Sequence, residues 1–239
     1  MDNDSHKRKL GEVLAILPAR GGSKGIPRKN VREIAGKPLI VWTIEAAQQA
    51  ELVDRLVVST DDAEIAAVAA AAGAEVINRP AELAQDATHT EPVLIHALQH
   101  LREQEGYQPE IVVLLQCTSP LRGAEIIDQG LRMLAATGCD CVLGVAPIQN
   151  PHLQGRIGEQ SRWQPEYEYG GRKFSQQAEE KYTENGALYV LRRTVLEQYG
   201  NRLGGDVRAL VMDPLLSVDI DLPEDLETAG RLLPLFRSH

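Results

Sequence analysis

Two short apolar runs constrain this chain more than any other feature. Val13-Leu14-Ala15-Ile16-Leu17 and Ile111-Val112-Val113-Leu114-Leu115 contain no polar residue. A strand with one wetted face alternates between apolar and polar positions. A strand that is apolar at every position is covered on both faces, as in a parallel sheet sandwiched between helices. The intervening sequence supplies the helices. Residues 37–50 place Ile40, Ile44 and Ala47 on one helical face. Leu56-Val57-Val58 reads as a strand and is followed by an Ala-rich helix ending near Gly73, with Asp61 and Glu64 at capping-box spacing. Glu75-Val76-Ile77 reads as another strand. Thr90 is placed as the N-cap of a helix that has Pro92 in its first turn and reaches about Glu105. Further on come a helix over 124–136, a strand at Cys141-Val142-Leu143-Gly144-Val145, strands at 187–191 and 209–212, and a last helix from Pro223. The alternation predicts an α/β fold, a mostly parallel open sheet flanked by helices, over residues 13–239.

Two segments depart from that texture. Residues 1–12 are polar and are expected to be a disordered tail. Over 147–181 the periodicity weakens, and four of the six tyrosines lie between Trp163 and Tyr189, which marks an insertion serving as a flap or dimer contact. No apolar run approaches the roughly 20 residues needed to span a bilayer. The N-terminus lacks the apolar core of a secretory leader. The three cysteines match no zinc spacing, so a reducing, cytoplasmic setting is expected. The net charge of −9 argues against nucleic acid and anionic membranes as partners.

Within this acidic chain, residues 20–32 carry five cations and no acid. Gly21, Gly22 and Gly25 let backbone approach a ligand, and Arg20, Lys24, Arg28, Lys29 and Arg32 attract a dense anion. The loop follows the first apolar strand, where open α/β sheets bind ligands, and reads as a polyphosphate site. Its spacing is neither a Walker loop nor a dinucleotide fingerprint. Near the other end, Asp219-Ile220-Asp221 presents two carboxylates on one side of an extended segment. They suit Mg²⁺, although Asp221 is also placed to cap the final helix, with Glu224 as its box partner. Gln116 ends the central strand, either in a plain turn or as an amide reading a base edge. His96 and His100 lie four apart on a helix without a third ligand and read, like His89, as packing or surface residues. Cys117 has no neighbouring base and reads as unreactive.

Taken together, residues 18–30, Ser59-Thr60-Asp61, residues 79–84, residues 115–122, Glu184-Asn185-Gly186-Ala187 and Asp219-Ile220-Asp221 resemble, in order, the motifs of the acylneuraminate cytidylyltransferases. The resemblance implies a nucleotide-diphospho-sugar transferase fold and a homodimer joined through the insertion. It implies transfer of CMP from CTP to the anomeric hydroxyl of a nine-carbon 2-keto sugar acid, with release of pyrophosphate. By that resemblance Arg20 and Lys24 hold the phosphates over Gly21, Gly22 and Ser23, and Lys29 and Asn30 line the same pocket. Arg79, Thr90 and Gln116 surround the cytidine or sugar, Asn185 holds the sugar, and Asp219 with Asp221 binds Mg²⁺ or, in its place, Mn²⁺. Arg20, Lys24 and Asp219 are the expected catalytic residues.

Two departures bear on the sugar. Cys117 stands where proline is usual. Gln176 and Glu180 replace the arginine and proline expected before Glu184, so Arg172 or Lys173 is the substitute contact for the sugar carboxylate. An eight-carbon sugar acid and a non-catalytic nucleotide-binding module are the alternatives. An NAD-dependent dehydrogenase lacks its glycine pattern here.

Overall fold

The two apolar runs become neighbouring strands at the centre of a seven-stranded sheet in a computed structural model, which describes residues 3–23, 25–168 and 179–236. The chain runs α1 (Asn3–Leu10), β1 (Val13–Pro18), β2 (Glu33–Ile34), β3 (Lys37–Pro38), α2 (Leu39–Gln49), β4 (Arg55–Thr60), α3 (Ala63–Ala71), β5 (Glu75–Asn78), α4 (Thr90–Glu105) and β6 (Ile111–Leu114). It continues with α5 (Ala124–Thr137), β7 (Cys141–Pro147), β8 (Gly155–Ile157), β9 (Trp163–Pro165), β10 (Tyr182–Arg192), α6 (Arg193–Tyr199), β11 (Val207–Val211) and α7 (Pro223–Phe236). The sheet order is β11-β7-β10-β6-β1-β4-β5. Every pairing is parallel except those of β10, which runs antiparallel to both β6 and β7.

Two large apolar clusters cover the sheet. One holds Ala15, Leu17, Ile44, Val113 and Leu131; the other holds Leu14, Ile16, Leu94, Val112 and Leu114. Alternate residues of β1 and β6 point into opposite clusters, the burial on both faces that their composition requires. The α/β class and its mostly parallel sheet are as expected.

Three expectations are corrected. The segment read as a disordered tail is helical over Asn3–Leu10, packs on α5, and buries Leu10 to 1% exposure. One well-seated leucine anchors a helix too polar to be read from periodicity. The cap of α3 is Asp62 rather than Asp61, its carboxylate accepting from the backbone N–H groups of Glu64 and Ile65 at 2.9 and 3.0 Å. The N-cap of α4 is His89, not Thr90, which is already helical. Of the residues named from sequence, Lys24, Arg172, Lys173 and Gln176 lie outside the described ones.

Candidate active site

The carboxyl ends of β1, β4, β5 and β6 lie along one edge of the sheet because these strands are mutually parallel. Each end delivers a polar residue within two positions: Arg20, Asp61, Arg79 and Gln116. Above this edge is a cleft of about 370 Å³. It brings together Arg20, Gly22, Ser23, Lys29, Asn30 and Arg79 on one side, with Thr90, Gln116, Asp219 and Asp221 completing it.

The basic loop is shaped by its glycines and by acids behind it. Gly21 donates its N–H to Asp61 Oδ1 at 3.2 Å, and a Cβ there would stand 2.5 Å from Asp62 Oδ2. Only glycine fits that approach. Asn30 Nδ2 donates to the Arg20 carbonyl at 3.0 Å and ties the loop's start to its end. Arg28 is turned away onto Asp62, at 2.6 Å, and Glu64. Arg20 faces the cleft, with Asp86 Oδ1 at 3.0 Å.

Arg79 is the most buried cation of the cleft, its side chain 4% exposed. It donates through Nη2 to Asp61 Oδ1 at 3.2 Å, while its buried Nε has no partner among the described residues. Burial holds its pKa below the ordinary arginine value. A buried N–H left without an acceptor is costly, and a ligand oxygen in the cleft would satisfy it.

On the acidic wall, burial lifts the Asp219 carboxyl above the usual carboxylate range, opposed by a hydrogen bond from Thr118; the Asp221 charge lifts it further. Two like charges beside one another cost less when a cation lies between them. This oxygen-only pair fits Mg²⁺, which binds through one or two carboxylates and takes the rest of its shell from water and phosphate. No group of three or more His, Cys, Asp or Glu is arranged as a metal cage among the described residues. Asp221 is not the helix cap. The Asp225 carboxylate accepts from the N–H groups of Asp221 and Leu222 at 3.0 and 2.8 Å, leaving the Asp221 side chain on Lys29 at 3.2 Å. Lys29 Nζ also donates to the Ile220 carbonyl at 2.5 Å, joining the basic loop to the acidic segment.

Asn185 is the residue that the resemblance assigns to the sugar. Its side chain is buried, and its Nδ2 donates to Ser217 Oγ at 2.9 Å while its Oδ1 accepts from the Ala187 N–H at 3.1 Å. These bonds lie at the register shift of β10 between Glu184 and Tyr189, beside Gly186, where a Cβ would meet Gln116 Oε1 at 2.8 Å and Asp219 Oδ2 at 3.9 Å. Cys117 lies in the cleft floor, and burial pushes its thiol up to about 12, so it is no nucleophile at neutral pH. His96 and His100 stack at 6.3 Å between ring centroids, without a third ligand.

The sequence missed a second depression, reached past His89, which lines both. Arg202 pairs there with Glu91 Oε1 at 2.8 Å and lies over the Tyr189 ring at 4.8 Å. The Tyr189 hydroxyl donates to Glu184 Oε2 at 3.0 Å. Nothing in a linear reading pairs residues 111 positions apart.

A strand-edge cleft that gathers several cations and a carboxylate pair, on a mixed seven-stranded sheet, has the make-up of a nucleotidyltransferase-like α/β protein. A solved structure of CMP:2-keto-3-deoxy-manno-octonic acid synthetase complexed with CTP shares this fold, with a TM-score of 0.71 at 19% identity, covering 94% of this chain and 99% of that one. The cytidylyltransferase family model matches residues 14–233, and the chain belongs to that family. It is 34% identical to N-acylneuraminate cytidylyltransferase A of Danio rerio over 96% of its own length, and spans about half, 54%, of that protein. It is 32% identical to CMP-N,N'-diacetyllegionaminic acid synthase of Legionella pneumophila, the match covering 93% of this chain and 97% of that protein. Among the described residues no helix is long and apolar enough to cross a membrane.

Proposed function

We propose that the protein transfers CMP from CTP to the anomeric hydroxyl of a sialic-acid-like nine-carbon 2-keto sugar acid. The observation that carries this reading is the meeting of Lys29 with the Asp219–Asp221 segment across the same cleft that Gln116 and Arg79 enter. A triphosphate needs cations on one side and a carboxylate-held metal on the other.

The sugar oxygen attacks the α-phosphorus of CTP, the bond to the β-phosphate oxygen breaks, and pyrophosphate leaves. Arg20 and Lys29 take up the charge growing on the leaving group, helped by Lys24. Asp219 and Asp221 would hold Mg²⁺, with Mn²⁺ as its substitute; the ion supplies charge neutralisation at the phosphates. In this reading Asp219 can also take the sugar proton, through a carboxylate oxygen not engaged with the ion. The Gln116 amide reads the cytosine edge, and the Arg79 N–H groups take oxygen acceptors of the nucleotide. The depression lined by Glu184 and Arg202 is polar and contiguous with the cleft, which suits the hydroxylated tail of the sugar.

A homodimer forms through the insertion, where Ile157 and Trp163 are 76% and 43% exposed. The three buried free cysteines support a reducing compartment, the cytoplasm. The relatives carry names for both N-acylneuraminate and diacetyllegionaminic acid, so sugar choice lies between such nonulosonates. The test is pyrophosphate release over four nucleotides and several 2-keto sugar acids, scored by kcat/KM. CTP is expected to be preferred more firmly than any one sugar. Loose nucleotide choice with strict N-acetylneuraminate selectivity would overturn the reading.

A further inference from the structure

We propose that Arg122 is a positioning residue that aims the Gln116 amide into the cleft and so sets which pyrimidine the protein accepts. The inference rests on the reading of Gln116 above. Arg122 is fully buried, and its guanidinium donates to acceptors on three separate pieces of the fold. Nη1 reaches the Ala187 carbonyl of β10 at 3.3 Å, and Nη2 reaches Thr43 Oγ1 of α2 at 3.1 Å and the Gln116 carbonyl at 3.5 Å.

Two of these acceptors flank a tight approach. Ala187 follows Gly186, which has φ +70°, and a Cβ on Gly186 would stand 2.8 Å from Gln116 Oε1. One planar cation thereby ties together the main chains of Ala187 and Gln116, on either side of the gap that the Gln116 side chain enters. The Gln116 carbonyl also accepts from the Ser119 N–H at 3.4 Å, and the Thr118 carbonyl of the same turn accepts from the Ile220 N–H at 2.9 Å. The turn that carries Gln116 is therefore held from behind by Arg122 and from the front by the acidic segment.

Stability alone does not explain a guanidinium here. A buried ionic group replaced by a well-packed apolar one of similar volume is often neutral or stabilising. A fork that holds several oxygens at fixed angles is what arginine provides and lysine does not. The feature to be read is the 4-position, an amino donor on cytosine and a carbonyl acceptor on uracil. An amide held in one orientation distinguishes them, whereas one free to turn accepts either.

The experiment measures Kd for CTP and for UTP by calorimetry, with melting temperature as the fold check, for Arg122→Met, Arg122→Lys, Thr43→Val and Gln116→Ala. Arg122→Met is expected to melt near the parent while its preference for CTP over UTP falls about tenfold or more. Arg122→Lys falls part of the way, and Thr43→Val falls less, in the same direction. Combining Arg122→Met with Gln116→Ala should cost no more preference than Gln116→Ala alone. A folded Arg122→Met protein that keeps the parent preference, while Gln116→Ala loses it, overturns the proposal and leaves the base reading standing. If Gln116→Ala keeps the preference, the base reading falls and the proposal falls with it. Should Arg122→Met not fold, an unchanged preference in both Arg122→Lys and Thr43→Val overturns the proposal.

Discussion

The cleft edge and the hairpin insertion use the chain in opposite ways. At the edge, polar groups follow strands of the main sheet: Gln116 follows β6, whose four residues are all buried, and Arg79 follows β5, which seats Ile77 in the core. In the insertion, β8 and β9 share three register pairs, form a sheet of their own, and leave Ile157 and Trp163 in solvent. An isolated two-stranded ribbon is marginally stable in water. The groups proposed to bind phosphate and metal are anchored to the main sheet, whereas the insertion has only its own two strands and is the part proposed to be completed by a second copy.

The comparison breaks first at the edge, if its charges prove dispensable. Asp221→Asn is expected to lower CMP transfer by about 10²-fold or more, with partial rescue by excess Mn²⁺. Among the described residues the Asp221 side chain makes no bond to the helix's N–H groups, and Asp225 holds the turn before the helix, so the fold should be untouched. Full turnover in steady-state assays would remove Asp221 from the metal pair. Lys29→Met should match it in size, because that ammonium faces both the cleft and the acidic segment.

Asp219 sharpens the point through pH. Its folded pKa is raised, so the native state binds its proton more tightly than the unfolded chain, and ionisation costs stability as pH rises past the unfolded value. Asp219→Asn should therefore melt higher than the parent at neutral pH and lose that advantage in acid, while transfer activity collapses. Equal melting temperatures across pH 4 to about 8 would show that the desolvation is not felt.

For the insertion, Ile157→Asp with Trp163→Asp should convert a dimer to a monomer in light scattering while leaving CTP affinity unchanged. A parent that is already monomeric at micromolar concentration contradicts the role given to this hairpin. The smallest effect is at Cys117. With its thiol near 12, iodoacetamide at neutral pH should leave it unmodified in the native protein and label it after unfolding. Rapid native labelling would mean the cleft floor is open.

How much was legible follows from the same division. The central strands were readable because continuous apolarity has one explanation, and Arg20 and Gln116 because each follows such a run; Asp61 and Arg79 follow strands whose apolar runs are shorter and give way to polar residues. The direction of β10 was not readable, since a strand buried on both faces has the same composition either way up. The hydrogen bonds of the buried Asn185 side chain were not readable, because a residue type carries no side-chain orientation. Arg202, Glu91 and Tyr189 meet only through the tertiary fold. The cap of α3 lies one residue beyond Asp61, which leaves the Asp61 carboxylate to accept from the Gly21 N–H and from Arg79.

Gly25 packs so closely on the Asp221 carbonyl that a Cβ there would come within 2.3 Å, and Lys29 bridges 192 positions to the same segment. On the ribosome, the basic loop emerges well before its acidic counterpart, so the contacts that Gly25 and Lys29 make with that segment cannot form until it has been made. Contacts of such long sequence separation also form late in refolding. CTP binding should therefore return after the sheet does, which makes nucleotide affinity a clock for the last event in folding.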